Sequence, residues 1–346
     1  MATRAPSSAP ERDDVLGPRE IARPEGRVEE ARKRGLGHHA RKPSEIPAPG
    51  WWQVLKRVWA ETISDQMSII AAGCAFYALL ALFPAISVLI SLYGLAFDPT
   101  AIERQLEAVR GVLPAAAYDL VAQRVHELAV KGATTLSWGL VLGVLVALWS
   151  ASAGTKALIM SLNIAYEEEE KRSFLRYNLT ALCFTLCGVF GVSLALSVIV
   201  GVPALLQLDW FGTFGRVVAR VASAFLLLGS VILGLSLLYR FAPSRNEAEW
   251  HWITPGSALA AVLWLLASVL FSFYVSRLAS YDVTYGSLGT VVVVLFWFYI
   301  SAFVVMLGAE LNAELELQTK QDTTTGPERP MGERGAFVAD HVAMAE

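Results

Sequence analysis

Long apolar stretches, separated by shorter polar ones, run through most of this chain. The clearest stretch carries no formal charge from Val283 to Ala309, and Glu310, Asn312 and Glu314 follow it. About 20 apolar residues are enough to cross a bilayer core of ~30 Å. Residues 291–294 are β-branched, which would favour a strand in water, but in lipid a run of this length satisfies its backbone hydrogen bonds as a helix. The pattern therefore predicts a transmembrane helix.

Five further stretches have the same character, and the composition agrees with them. The chain of 346 residues is 55% hydrophobic and 17% charged, whereas soluble domains are about a quarter charged. We therefore predict an all-α, polytopic integral membrane protein with six transmembrane helices. The predicted membrane domain covers residues 68–317, with spans at about 68–97, 133–157, 178–204, 217–240, 253–276 and 286–310.

Two segments outside the spans show the period of amphipathic helices. Residues 51–67 begin with two tryptophans and carry a third in the same helical pattern, which predicts an interfacial helix with aromatic anchors. Residues 99–132 repeat apolar residues at helical spacing on both sides of Pro114 and are too charged to span. They predict an extracytoplasmic helical hairpin between the first two spans.

Both ends of the chain are rich in charged residues, proline and glycine, with little apolar periodicity. This composition predicts disordered tails over residues 1–50 and 318–346. Six spans put both tails on one side of the membrane, and the ten Lys and Arg of the N-terminal tail indicate that this side is cytoplasmic. A solvated N-terminal tail is the simpler interpretation, and binding to anionic lipid headgroups is the alternative.

Three separated motifs resemble those of one family. AAGCAFYALLALFP in the first span, LWSASAGTKALIMSLNIAY in the second, and YDVTYGSLG with GAELN in the last occur in the family's order. Together they resemble the YihY/virulence factor BrkB family, except that Ala81 stands where serine is usual. The resemblance implies a six-helix protein of the bacterial cytoplasmic (inner) membrane. Its members have been labelled ribonuclease BN or virulence factors, and their biochemical activity is not settled.

The residues themselves do not support an enzyme. The five histidines, His38, His39, His126, His251 and His341, form no HxHxDH-like cluster of the kind that a metal-dependent nuclease needs. No phosphate-binding loop, GxSxG motif or dinucleotide fingerprint is present, and no basic, aromatic RNA-binding surface is evident in the membrane part. We therefore expect no enzymatic activity, cofactor, metal site or nucleic acid partner.

Polar residues within the membrane are costly and are therefore candidates for function. Lys156, Asn163, Glu310 and Asn312 fall near the same predicted ends of their spans. They are candidates for a cavity that faces the cytoplasm, with Lys156 and Glu310 as an ion pair. In the alternative, Lys156 extends to the interface, Glu310 is an exposed helix end, and the asparagines hydrogen-bond between helices.

A second candidate lies in the turn before the last span. Arg277, Tyr281, Asp282, Tyr285 and Gly286 cluster there on the predicted extracytoplasmic side. They would form a gate or a headgroup contact, or else a capped turn in which Arg277 and Asp282 neutralise each other and Gly286 provides an unusual backbone angle.

Two classes of function remain at this stage. The first is a transporter or translocator of lipids or other amphiphiles, because long charge-free helices with few polar groups suit such substrates. The second is a non-transporting envelope scaffold or resistance factor that acts through partner proteins. The lipid bilayer is the one partner that the sequence requires, and the sequence leaves open the substrate, the energy source and the oligomeric state.

Overall fold

A computed structural model describes residues 35–96, 118–119, 122–123, 138–206, 212–277 and 287–343. These residues are mostly helical and contain no β-strand. The helices are α1 (Ala48–Ser64), α2 (Met67–Ala96), α3 (Trp138–Ala165), α4 (Phe174–Leu206), α5 (Gly212–Phe241), α6 (Trp250–Arg277), α7 (Ser287–Leu317) and the single turn α8 (Phe337–Asp340).

Helices α2 to α7 are long and apolar enough to cross a membrane, which confirms the all-α fold with six spans. Their apolar segments are 20 to 27 residues long, matching the length that a bilayer core requires. The assignment of these six helices as membrane spans rests on their length and composition. The chain is therefore a multi-pass membrane protein.

The six spans form a closed ring. Each one packs against two neighbours, in the order α2, α3, α4, α5, α6, α7 and back to α2. Helix α7 also contacts α3 and the amphipathic helix α1, and it therefore lies closest to the centre of the packing. The last turns of α7 are buried as a result.

Burial is concentrated at one end of this ring, which we call the capped end. It consists of α1, the connections 166–173 and 242–249, the last turns of α7 and the segment 318–343. The main apolar core lies here and joins side chains of α3, α4, α5, α6, α7 and α8. Farther along the helices the packing loosens, and α5 exposes large apolar side chains there: Val221, Phe225, Leu226 and Leu233.

Two glycines let α6 and α7 approach each other closely at the capped end. A Cβ atom added to Gly256 would lie 2.0 Å from the carbonyl oxygen of Gly308, and one added to Gly308 would lie 2.5 Å from the Tyr239 hydroxyl. Small residues at such a crossing bring helix backbones together in membranes. The Tyr239 hydroxyl donates a 2.8 Å hydrogen bond to the carbonyl of Val305 and so links α5 to the same contact.

The prediction of a disordered C-terminal tail over residues 318–346 is wrong for the described part, 318–343. This segment folds over the helix ends although it contains few apolar residues, because its polar groups find specific partners. The Arg334 guanidinium donates hydrogen bonds to the carbonyls of Lys320, Gln321, Arg329 and Ala339. The buried side chains of residues 338, 339 and 342 supply the apolar contact.

The predicted disordered N-terminal tail, residues 1–50, is also corrected in part. Residues 1–34 lie outside the described chain, but residues 35–47 pack against the capped end as an N-terminal strap. Leu36, Ala40 and Ile46 are buried in it. Helix α1 begins at Ala48, and its first turn packs closely against the strap. A Cβ atom on Gly50 would lie 2.4 Å from the carbonyl oxygen of Leu36.

Helix α1 has the two faces that an interfacial helix needs. Val54, Val58 and Glu61 are buried against the bundle, whereas Trp52 and Trp59 are exposed. The predicted hairpin at 99–132 is described only at residues 118–119 and 122–123, so it stays a prediction.

Candidate functional site

The end of α7 and the first residues after it form an unusual polar stretch. Six polar side chains here are at most 1% exposed: Glu310, Asn312, Glu314, Glu316, Gln318 and Thr319. A buried polar group without a hydrogen-bond partner costs about 1–3 kcal/mol. The partners of these groups therefore define the candidate site, which we call the polar network.

Asn312 joins α7 to two other parts of the bundle. Its side-chain oxygen accepts a 2.8 Å hydrogen bond from the backbone N–H of Gly256. Its amide nitrogen donates to the hydroxyl of Tyr166, at 3.5 Å, just beyond the end of α3. Pro255 precedes Gly256 inside α6, and a proline there lacks an N–H and disturbs the neighbouring backbone hydrogen bonds. Asn312 therefore supplies an acceptor to a backbone N–H next to this proline.

Asn163 plays the corresponding role at the end of α3. Its side-chain oxygen accepts a 2.8 Å hydrogen bond from the backbone N–H of Ser244, and its amide donates to Glu170 at 3.1 Å. Burial alone would raise the pKa of Glu170, but the guanidinium and backbone N–H of Arg172 and the Asn163 amide together hold that pKa below its usual range. Both asparagines thus hydrogen-bond between elements, as the second interpretation of the sequence predicted.

Arg245 and Glu316 form the most deeply buried ion pair of the network. The two guanidinium nitrogens donate to the two carboxylate oxygens at 3.0 and 2.6 Å. Thr323 adds a hydroxyl bond of 2.6 Å to Glu316, and the ring of Tyr166 lies under the guanidinium, 5.0 Å from its central carbon. Burial alone would lower the pKa of Arg245, but the charge of Glu316 outweighs it and raises that pKa.

The same charges act on Tyr166. Burial, followed by the negative charge of Glu316, raises the pKa of its hydroxyl well above the usual value. The phenol therefore stays protonated.

Arg57 makes a second ion pair, which fastens α1 to α7. Its Nε donates to the Glu314 carboxylate at 2.5 Å, and its Nη2 donates to the side-chain oxygen of Gln318 at 2.8 Å. The Gln318 amide in turn donates to the carbonyl of Leu36 at 2.8 Å. Helix α1, the N-terminal strap and the end of α7 are thus held together by one chain of hydrogen bonds.

Lys156 lies apart from this network. Its ammonium lies over the ring of the exposed Trp149, 4.3 Å from the ring centroid, and Lys156 itself is partly buried. Glu310 is fully buried rather than an exposed helix end. The predicted Lys156–Glu310 ion pair stays a prediction.

The second predicted site lies outside the described residues. The structure does not describe Tyr281, Asp282, Tyr285 and Gly286, nor the side chain of Arg277. A gate or headgroup contact in that turn stays a prediction.

One cluster of three carboxylates has a spacing suited to a metal ion. Oxygens of Glu61, Asp65 and Glu167 lie within 4.8 Å of one another at the capped end. Carboxylate oxygens are the ligands that Mg²⁺ and Ca²⁺ prefer. Ser64 donates a 2.6 Å hydrogen bond to Glu61, so part of this cluster is engaged by the protein itself, and the spacing alone does not assign a metal.

Sequence reasoning missed Arg57, Tyr166, Arg245 and Glu316. A signal is present in the spacing of Glu310, Glu314 and Glu316 at the end of an apolar helix, although the same pattern also fits an exposed helix end. The basic partners of Glu314 and Glu316 are more than 70 residues away in the sequence, and no local pattern shows such pairs.

Comparisons with known proteins agree with this architecture. Residues 58–332 match the family described as "Virulence factor BrkB". The chain is 34% identical over 284 residues to "Putative ribonuclease-like protein YfkH" of Bacillus subtilis, which covers 77% of this chain and 96% of that protein. It is 27% identical over 281 residues to a UPF0761 membrane protein of Pseudoalteromonas translucida, covering 80% of this chain and 89% of the relative.

No solved structure matches the chain. The family match begins within α1, one residue after Arg57, and ends within the segment 318–343, so it includes the polar network except Leu36 and Arg57. The chain belongs to the Virulence factor BrkB family of membrane proteins.

Proposed function

We propose that this protein is a transporter or translocator of lipids or other amphiphilic molecules, and that the structure represents a state closed at the capped end. The observation that supports it is the asymmetry of packing. The capped end holds a dense core and a polar network, whereas in the described chain at most 28% of the apolar window of any span is buried.

The contacts that close the capped end are of a kind that suits a gate. Ion pairs and hydrogen bonds that join separate elements have discrete partners and can be exchanged, and interfaces with two such arrangements are the usual basis of switching. Arg57–Glu314 and Arg245–Glu316 each join α7 to an element outside the ring of spans. Release of both would free the end of α7 from α1 and from the 242–249 connection.

The surface of the spans indicates the class of substrate. The exposed side chains of the ring are apolar over most of its length. An ion or sugar would need polar groups along its path, because unsatisfied polar groups are costly in hydrocarbon. A molecule with an acyl chain would not need polar groups along the path of that chain.

We further infer that the capped end faces the cytoplasm of a bacterial inner membrane. Both described terminal segments lie at this end, and the ten Lys and Arg of residues 1–50 favour a cytoplasmic side. A reporter protein fused after Glu346 should fold and fluoresce in the cytoplasm, and activity of a periplasm-specific reporter at the same position would reverse the assignment.

Enzymatic activity is not part of this proposal. The name of the Bacillus subtilis relative includes "ribonuclease-like", and the carboxylates of Glu61, Asp65 and Glu167 are a conceivable metal site. We expect purified protein to leave RNA intact with Mg²⁺ or Mn²⁺ present. Cleavage that the substitution Asp65→Asn abolishes would restore the nuclease interpretation.

A scaffold function is the second candidate. The ordered segment 318–343 favours it, because a transporter does not require a folded polar layer outside the membrane. If this surface served only to bind partners, substitutions within the buried ion pairs would not change movement of any substrate.

Reconstitution separates the two candidates. The full chain is placed in vesicles that contain a trace of fluorescent phospholipid, and a membrane-impermeant reductant reports how fast lipid moves between leaflets. We expect movement above that of protein-free vesicles and a faster rate for Arg245→Gln. A matched control is Arg41→Gln, an exposed arginine outside the network. Equal rates for protein-containing and protein-free vesicles, with and without the substitution, would contradict lipid translocation.

A further inference from the structure

Arg240 differs from the other buried arginines of the described chain. Its side chain is 10% exposed, yet its Nε and Nη1 atoms are buried without a hydrogen-bond partner. The guanidiniums of Arg57, Arg245 and Arg334 each donate to several acceptors. An arginine has five N–H donors and no acceptor, so Arg240 has donors to offer to a molecule outside the protein.

Among the residues that the structure describes, the one acceptor of this guanidinium does not account for those donors. Arg240 Nη2 donates to Glu247 at 3.1 Å, and the Glu247 side chain is 47% exposed. The ring of Trp250 lies 4.4 Å from the guanidinium carbon, and the ring of Phe241 lies 5.2 Å from it. Cation–π contact stabilises the charge through the ring faces but supplies no acceptor for the N–H groups at the edge.

The position of Arg240 points to a ligand of the membrane interface. It is the penultimate residue of the apolar span Val221–Phe241, and Trp250 begins the next span. Arginine and tryptophan at the ends of spans lie at the level of the lipid headgroups. An acceptor that reaches the site from the membrane is therefore a phosphate oxygen of a phospholipid.

The surface beside the arginine fits the acyl part of such a lipid. Leu233, Leu237 and Phe241 are spaced four residues apart on α5 and are 56%, 38% and 39% exposed. Residues four apart lie on one face of a helix, so they form an apolar stripe that leads from Arg240 towards the middle of the span. Trp250, 45% exposed, borders the stripe at the headgroup level.

We propose that Arg240, Phe241 and Trp250 form a binding site for the phosphodiester group of a membrane phospholipid, with an acyl chain along Leu233 and Leu237. The exposed rings of Phe241 and Trp250 cover the guanidinium and move aside to admit the phosphate. Guanidinium groups match phosphate oxygens in charge and geometry. The site does not depend on transport, because a lipid bound here is a fixed ligand of the protein.

Native mass spectrometry of the full chain in detergent micelles tests the site. Phosphatidylglycerol is titrated against the parent protein and Arg240→Gln, and diacylglycerol with the same acyl chains serves as the probe without phosphate. We expect Arg240→Gln to bind phosphatidylglycerol about tenfold more weakly, as loss of a charge-assisted hydrogen bond predicts. Arg329→Gln, at an exposed arginine of the segment 318–343, should bind like the parent, and diacylglycerol should bind weakly to all three.

A second variant keeps the test decisive if Arg240→Gln does not fold. Glu247→Gln retains the guanidinium and removes the charge that competes for it, so it should bind phosphatidylglycerol at least as tightly as the parent. Weaker binding by Glu247→Gln, or equal binding by Arg240→Gln and the parent, overturns the proposal. Displacement of the lipid by millimolar inorganic phosphate would also overturn it, because it would identify a site for the free anion.

Discussion

Arg245 and Glu316 meet through two hydrogen bonds of 3.0 and 2.6 Å, with side chains that are 1% and 0% exposed. One residue belongs to the connection between α5 and α6, and the other to the last turn of α7. The pair therefore fixes the end of the central helix to a segment outside the ring.

The substitution Arg245→Gln tests the strength of this link. Removal of one partner of a buried ion pair leaves an uncompensated charge and costs about 3–5 kcal/mol. We expect the midpoint of thermal unfolding in detergent to fall by several degrees. The double substitution Arg245→Met with Glu316→Leu should recover much of the loss, because it removes both charges together.

The control for this experiment is Glu249, which is 44% exposed and pairs with the partly exposed His251. Exposed ion pairs contribute about 0–1 kcal/mol, so Glu249→Gln should leave the unfolding midpoint almost unchanged. Equal effects of Arg245→Gln and Glu249→Gln would contradict the special role of the buried pair.

The crossing of α6 and α7 predicts opposite effects of alanine at different glycines. Gly256→Ala would place a Cβ atom 2.0 Å from the carbonyl oxygen of Gly308, so the helices must separate and stability must fall. Gly234 lies in α5, and no atom of the described residues outside its own helix turn lies within 4 Å of the added Cβ. Gly234→Ala should therefore stabilise the protein by about 0.5–1 kcal/mol, as alanine does within helices.

Unfolding midpoints of the two alanine variants check this prediction. A Gly256→Ala protein as stable as the parent would show that the close approach of α6 and α7 is not required for the fold.

His38 predicts a dependence of stability on pH. Its ring is 5% exposed, and both nitrogens are buried without a hydrogen-bond partner among the described residues. Burial, followed by the charges of Lys320, Arg57 and His39, lowers its pKa from 6.5 to about 4. The unfolded chain thus binds a proton more readily than the folded one, and stability decreases as the pH falls from about 6.5 to about 4.

The size of this effect on stability follows from the pKa difference between the folded and unfolded chain. A shift of one pKa unit corresponds to 1.36 kcal/mol, so His38 contributes up to about 3 kcal/mol to the pH dependence.

His38→Phe should flatten the stability profile between pH 4 and 6.5. His39→Gln, at an exposed neighbour, should retain the profile of the parent. Release of the N-terminal strap at low pH, measured by hydrogen exchange of residues 35–47, should follow the same curve.

Sequence patterns predicted the spans well because each span is a local feature. A charge-free run of about 20 residues must satisfy its own backbone hydrogen bonds, so its structure does not depend on distant residues. Predicted ends differ from the observed ones by about two helical turns at most: the prediction for the second span is 133–157, and α3 runs from Trp138 to Ala165.

The capped end was not predictable in the same way. Segment 318–343 resembles a disordered tail because its stability comes from polar partners rather than from apolar residues. Arg334 and Asp340 organise it, and Asp340 accepts hydrogen bonds from the backbone N–H groups of Gly332, Arg334 and Gly335. Gly332 and Gly335 adopt positive φ angles, which composition does not reveal.

Arg334 therefore provides a separate prediction for this segment. Arg334→Gln removes donors to four backbone carbonyls, and we expect faster proteolysis within residues 318–343 while the spans remain folded. Arg329→Gln is the matched control, because the Arg329 side chain is exposed. Unchanged cleavage in Arg334→Gln would show that the segment is held by its apolar contacts alone.

The central claim is that the capped end is a closure that can open. Ser161 and Ser257 are fully buried there, and each is replaced by cysteine in a background without Cys74, Cys183 and Cys187. A membrane-impermeant thiol reagent is then applied from the capped side, with and without Arg245→Gln. We predict protection of both cysteines in the parent and labelling of both when the ion pair is removed. Protection in both backgrounds would show that the capped end is a permanent structural core, and labelling in the parent would show that it is not closed.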